Sequence, residues 1–150
     1  MKSALLIIDV QQGLCEGEGQ AFDSAAVIAR INTVAQKMRQ ADVPVVFIQH
    51  ESGPGYLEYG TPAWQLAAGL ETESGDRFVR KTTPDSFLRT DLQELLQSQA
   101  VTDLTICGMH TEFCVDTTTR RALAHHNATL TNISSFGPRV RTVTSAAIQC

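Results

Sequence analysis

Ala4-Leu5-Leu6-Ile7-Ile8-Asp9-Val10 is a short, continuous apolar run broken near its end by one carboxylate. An unbroken run of this length is the pattern of a strand buried on both faces, where neither side of the sheet calls for polar residues. A Gly-containing loop follows. Asp23 or Ser24 then stands where a helix cap is expected, ahead of Val27, Ile31, Val34 and Met38 at helical spacing up to Ala41. Pro44 introduces Val45-Val46-Phe47-Ile48, a β-branched run that ends at Gln49-His50. Strand, helix, strand in this order is the signature of an α/β unit.

The pattern continues outward from there. Residues 51–75 carry Gly53, Pro54, Gly55, Gly60, Pro62 and Gly69, with Tyr56, Tyr59 and Trp64 between them. Long loops of this kind in compact domains are often functional. Phe78-Val79-Arg80-Lys81 reads as a third strand, closed by Thr82-Thr83-Pro84. Thr90 and Gln93 fit a capping box ahead of Leu92, Leu95 and Leu96 at helical spacing. Leu104-Thr105-Ile106-Cys107-Gly108 is a fourth buried strand, and Thr111 can cap a helix running from Glu112 toward His125 or His126. The fold expected is a single α/β domain over residues 1–150. It is a three-layer, Rossmann-like sandwich in which an open, mostly parallel sheet is flanked by helices.

Composition narrows the function. The 150 residues are 43% hydrophobic and 19% charged, ordinary for a folded globular chain and too apolar for a disordered one. A net charge of -4 with scattered Lys and Arg leaves no basic stripe for phosphates, so nucleic acid is not an expected partner. The first apolar run is too short for a signal-peptide core or a membrane span, and the expectation is a cytoplasmic protein without membrane association. Cys15, Cys107, Cys114 and Cys150 are irregularly spaced and form no CxxC pair, which argues against a disulfide framework or a redox motif.

In a sheet of this kind ligands sit beyond the carboxyl ends of the strands, near the point where strand order reverses. Asp9 ends the first strand, Lys81 ends the third, and Cys114 lies in the first turn of the helix after the fourth. A thiol there meets the positive end of the helix dipole and free backbone N–H groups, and a nearby ammonium would lower its pKa further. Asp9 can take the thiol proton and pass it to a leaving amine. Taken alone, each residue has an ordinary structural role: a buried small hydrophobe, a loop cap, a solvated cation. It is their joint arrival at strand ends that points to chemistry.

The motifs ALLIIDVQ, PVVFIQHE, RKTTPDSF and CGMHTEFCVDTTTRRALA, which together span Ala4 to Ala124, resemble the isochorismatase-like cysteine hydrolase superfamily. The family's Asp, Lys and Cys triad maps onto Asp9, Lys81 and Cys114. The resemblance further implies a cis peptide from Met109 to His110 and an oxyanion hole made by the backbone N–H groups of His110 and Cys114. It also implies hydrolysis of a small amide or related C–N bond through a thioester, and homo-oligomers whose subunits help complete the site. Metal-using members carry an Asp-x-His after the second strand. Here Gln49-His50-Glu51 stands in its place, so neither a catalytic metal nor another cofactor is expected. A zinc site from His110, Cys114, His125 and His126 lacks the required spacing. His50, Tyr56 and Trp64 are candidates for lining a small-molecule pocket, each with an ordinary structural alternative. Cys107 reads as structural, and Cys15 and Cys150 as incidental.

The sequence departs from the family after Ala124. Arg120-Arg121-Ala122-Leu123-Ala124 leads directly into His125-His126-Asn127, where relatives have a further strand and loop, so the expectation is a sheet with one strand missing near the C-terminal part. Residues 127–134 read as helix by the spacing of Leu130 and Ile133, with an extended segment as the alternative. Pro138 to Val143 resembles the family's final strand. Two other functions stay open on these residues: a noncatalytic binding or assembly protein that keeps the pocket, and vinyl ether hydrolysis of the isochorismatase type, which has no need of Cys114.

Overall fold

Leu5 and Ile7 pack on one face of the first strand and Ala4, Leu6 and Ile8 on the other, and all five are buried. This double burial is why the run contains no polar residue until Asp9. The computed structural model describes residues 2–17 and 20–132. The strands are β1 (Ser3–Ile8), β2 (Val45–His50), β3 (Arg77–Lys81) and β4 (Asp103–Gly108). They form one parallel sheet in the order β3-β2-β1-β4. The chain steps outward from β1 to β2 to β3, then returns to the opposite flank of β1 for β4. Strand order therefore reverses between β1 and β4, which opens the crevice at their carboxyl ends.

Helices cover both faces. α1 (Gln12–Cys15) is a single turn, and α2 (Ser24–Gln40) lays Ile28, Ile31, Val34, Ala35 and Met38 against Leu5, Ile7, Val45 and Phe47. α3 (Leu92–Ser98) packs Leu92 and Leu96 against Leu6, Ile8, Val46, Ile48 and Val79 on the other face. At about 1.5–3 kcal/mol for each large apolar side chain removed from water, these two layers are what hold the sheet in place.

Several helix starts differ from expectation. Asp23 sits at the start of α2 with a left-handed φ of 53° and makes no side-chain cap, while the Ser24 hydroxyl donates back to the Cys15 carbonyl at 3.0 Å. The Thr90 hydroxyl accepts the Leu92 N–H at 3.3 Å and donates to the Ser86 carbonyl at 2.6 Å, so it serves α3 from one residue outside the cap, which is Asp91. Thr111 opens a π-turn, Thr111–Val115, rather than an α-helix, and makes no cap. α4 (Asp116–Asn132) follows it directly. The helical reading of 127–134 thus holds as far as Asn132, as a continuation of α4 rather than a separate element. Ile133, Ser134, the strand expected over Pro138 to Val143 and the question of an omitted strand lie outside the described residues. Among those described, β4 forms one edge of the sheet and all six of its residues are half-buried.

The turn out of β4 toward Cys114 depends on Gly108. Its φ is +130°, and a Cβ there would lie 2.6 Å from the Ile8 nitrogen and collide with the Ile8 carbonyl oxygen. That carbonyl accepts the Met109 N–H at 2.8 Å, which starts the turn toward the site. Gly108→Ala is expected to cost about 3 kcal/mol or more through strain and backbone displacement. Gly53→Ala, in open space, should stay within about 0.5 kcal/mol. Urea unfolding midpoints of the two variants check the difference.

Candidate active site

Asp9 is the first residue beyond β1. It turns the chain with φ 54°, a conformation Asp tolerates better than most residues, and its N–H donates to the Ile48 carbonyl at 2.8 Å. Lys81 is the last residue of β3. Inward positions recur every second residue, so the rule that buries Val79 also turns the Lys81 side chain inward. Its Nζ meets Asp9 Oδ2 at 2.9 Å, and neither side chain has meaningful contact with solvent. Cys114 reaches the same point from the π-turn, with Sγ 3.3 Å from Lys81 Nζ. The three residues expected to converge do so. The peptide from Met109 to His110 is cis, as the resemblance implied.

The ammonium has two more neighbours. His50 Nδ1 lies 3.2 Å away and the Thr83 carbonyl oxygen also 3.2 Å away. His50, at the end of β2, therefore belongs to the cluster. The Trp64 ring makes no hydrogen bond to it. Its indole stacks edge-on against Tyr59 at 4.8 Å, with the ring N–H buried and unpaired. Tyr56 is more than half exposed and makes no hydrogen bond or ring contact among the described residues. Among the described residues no three His, Cys, Asp or Glu side chains gather closely enough to hold a metal ion. The middle of the cluster is occupied by the Lys81 ammonium.

Two supporting groups were not singled out from sequence. Gln11 is fully buried. Its Oε1 accepts the His50 N–H at 2.9 Å, and its Nε2 donates to the carbonyls of His50 and Trp64, each at 2.9 Å. Gln49 Nε2 adds a 3.0 Å bond to the same Trp64 carbonyl. The amide of Gln11 thus ties the end of β1 to the end of β2 and to the loop. The buried Ser86 and Thr118 hydroxyls meet at 2.7 Å, and Thr118 Oγ1 also accepts the Ser86 N–H at 3.2 Å. That pair joins the segment after Lys81 to the helix after Cys114. A glutamine two residues past a buried strand's terminal Asp was the available signal for Gln11. Nothing local marks Ser86 or Thr118.

The resting thiol differs from expectation. Burial and the Asp9 carboxylate push Cys114 up to about 11, and Lys81 offsets only part of this. The helix dipole and ammonium were expected to favour the thiolate, but removal from water and a neighbouring anion outweigh them. Burial raises Cys107 to about 12, and burial, followed by Glu16, raises Cys15 to about 11. His50 is lowered, chiefly by burial and then by Lys81, so its ring is neutral at pH 7. Because the Asp9 charge opposes thiolate formation, Asp9→Asn should lower the Cys114 pKa below about 11. Alkylation by iodoacetamide at a fixed lower pH should then quicken about tenfold for each unit. Lys81→Met should act in the opposite direction, and alkylation rates followed across pH check both signs.

Residues 3–130 match the family model described as the isochorismatase domain. Streptothricin hydrolase of Streptomyces noursei is 36% identical over 121 residues, which cover 80% of this chain and 44% of that protein. Ureidoacrylate amidohydrolase RutB of Pseudomonas syringae pv. syringae is 26% identical, covering 79% of this chain and 64% of that one. The crystal structure of an isochorismatase family protein is 42% identical with a TM-score of 0.77, covering 83% of this chain and 74% of that chain. The chain spans about half the length of the streptothricin hydrolases it matches. With a four-stranded parallel sheet, helices on both faces and a family match across most of its length, the chain belongs to the isochorismatase family.

Proposed function

We propose that the protein is a metal-independent hydrolase of a small amide or related C–N bond, with Cys114 as nucleophile, Asp9 as proton carrier and Lys81 as the fixed cation. The observation that carries this reading is the buried cluster itself: Asp9 Oδ2 and Cys114 Sγ lie 2.9 Å and 3.3 Å from the same Lys81 Nζ, with the carboxylate beside the thiol. The names of two relatives, a streptothricin hydrolase and a ureidoacrylate amidohydrolase, support hydrolysis and an amide-type bond respectively.

The pKa of the thiol decides the order of events. At about 11, only about one Cys114 in ten thousand is a thiolate at pH 7, so proton removal has to accompany attack. The S–H proton passes to Asp9, and the sulfur forms a C–S bond to the substrate carbonyl carbon. Its oxygen gains the negative charge and is held by the backbone N–H groups of His110 and Cys114. Asp9 returns the proton to the departing nitrogen as the C–N bond breaks, leaving a thioester. Water then gives a proton to Asp9 and attacks the thioester, the acid leaves, and the sulfur takes the proton back. Throughout, Lys81 keeps the Asp9 carboxylate oriented and offers an N–H to the sulfur while it is negative. The same reading takes a small-molecule substrate and an assembly of like subunits, and the exposed Phe113 ring beside the nucleophile is apolar surface that a neighbour would cover.

On a panel of small primary amides, N-carbamoyl compounds and ureido acids, the protein should turn over at least one class. Cys114→Ser should lose about a thousandfold or more in kcat. The thioester should be trapped by mass spectrometry as an acyl adduct on Cys114. Turnover by Cys114→Ser at the wild-type rate would overturn the nucleophile assignment, and a folded protein inert on the whole panel would favour the noncatalytic binding reading.

A further inference from the structure

Lys81 Nζ has four polar neighbours: Asp9 Oδ2 at 2.9 Å, His50 Nδ1 and the Thr83 carbonyl oxygen at 3.2 Å each, and Cys114 Sγ at 3.3 Å. An ammonium has three N–H groups and no lone pair. Four acceptors cannot each hold a full bond at the same time. Asp9 holds the shortest. The sulfur, at rest a protonated thiol beside a carboxylate, is a weak acceptor with a better use for its own proton. The three N–H groups therefore go to Asp9, His50 and Thr83 until the sulfur becomes an anion.

His50 is the adjustable member of this set. The Thr83 oxygen belongs to the main chain two residues from Lys81, and the Asp9 carboxylate is buried. The half-buried imidazole is a side chain whose lone pair can be offered or withdrawn. Because the ammonium cannot accept, the 3.2 Å contact is a hydrogen bond only when Nδ1 presents its lone pair, which puts the ring proton on Nε2. Gln11 holds both the N–H and the C=O of His50, so the backbone that carries the ring is fixed. The charged and polar groups facing the ring are Lys81 from β3, Asp9 after β1, Glu51 next along the chain and the Thr83 carbonyl after β3. Glu51 is itself paired with Arg80 at 2.9 Å.

We propose that His50 is a positioning residue for Lys81: its Nδ1 takes one ammonium N–H while Cys114 is a thiol and releases it to the sulfur when the thiolate forms. The hydrogen-bond capacity of Lys81 is thereby kept off the resting thiol and available in the attacking state. The consequence for turnover rests on the hydrolase reading above, whereas the hydrogen-bond assignment does not.

Two measurements test it without an assay of turnover. Long-range proton–nitrogen NMR correlation of the intact protein at neutral pH should show His50 neutral with its proton on Nε2, the signal being assigned by its absence in His50→Asn. A proton on Nδ1, or a doubly protonated ring, would overturn the proposal. The second measurement is the iodoacetamide labelling rate of Cys114 at a fixed pH below its pKa. His50→Leu removes the competing acceptor and frees an N–H for the sulfur, so labelling should quicken about tenfold, the worth of one charge-assisted bond. His50→Asn returns an acceptor near the Nδ1 position and should label at the wild-type rate. Equal labelling in wild type and His50→Leu would also overturn it. Should His50→Leu fail to fold, the tautomer in the wild-type protein still decides. Inactivity on every amide in the panel would strike the hydrolase reading and leave both of these readouts standing.

Discussion

Lys81 and Asp9 face each other at 2.9 Å with no solvent on either side chain, and much of the local structure exists to make that pair tolerable. Taking a carboxylate and an ammonium out of water costs roughly several kcal/mol per ion even after relaxation, and their attraction repays it only when geometry is good and the remaining valences are filled. Here the ammonium is filled three times over, by Asp9, His50 and Thr83, with the Cys114 sulfur as a fourth neighbour. The Asp9 carboxylate in turn faces the Cys114 thiol, whose proton the proposed chemistry passes to it.

The scaffold supplies the geometry through a few long-range ties. The strand order β3-β2-β1-β4 sets the ends of β1 and β4 side by side, and Gly108 permits the close passage of the chain over Ile8 that turns it toward Cys114. Gln11 locks the end of β2 to the end of β1 through the main chain of His50. Ser86 and Thr118 lock the segment after β3 to the helix that carries the nucleophile. The Gln11 and Ser86–Thr118 ties are polar contacts made by buried side chains, and each joins two of the segments that carry Asp9, His50, Lys81 and Cys114. Such contacts contribute about 1 kcal/mol each in stability. Their larger effect is positional, since a cation serving several acceptors is sensitive to shifts of a few tenths of an ångström.

The raised pKa of Cys114 reflects the same design. A thiol kept protonated by burial and by a neighbouring carboxylate is poorly reactive toward stray electrophiles, and it becomes nucleophilic only as its proton leaves. Asp9 thus opposes the thiolate electrostatically and yet is the group placed to make it. The two roles are compatible because once Asp9 accepts the proton its charge is gone.

From sequence alone, the alternation of strands and helices, the burial of β1 on both faces and the identity of Asp9, Lys81 and Cys114 as a converging set were legible. Apolar periodicity and strand-end positions are local properties, written within a few residues of each feature. The helix starts were less legible, because Asp23, Ser24 and Thr111 have capping chemistry whose use depends on what their neighbours offer. Tertiary structure alone decided that the thiol rests protonated, that His50 joins Lys81 while Tyr56 stands apart, and that Gln11, Ser86 and Thr118 hold the parts together. The physical reason is that pKa values and hydrogen-bond competition depend on distances among residues 9, 50, 81 and 114, which lie tens of positions apart in the chain. Periodicity can assign each of them to a strand end, but only the packed sheet sets the distances by which burial and the Asp9 charge outweigh the pull of Lys81 on the thiol.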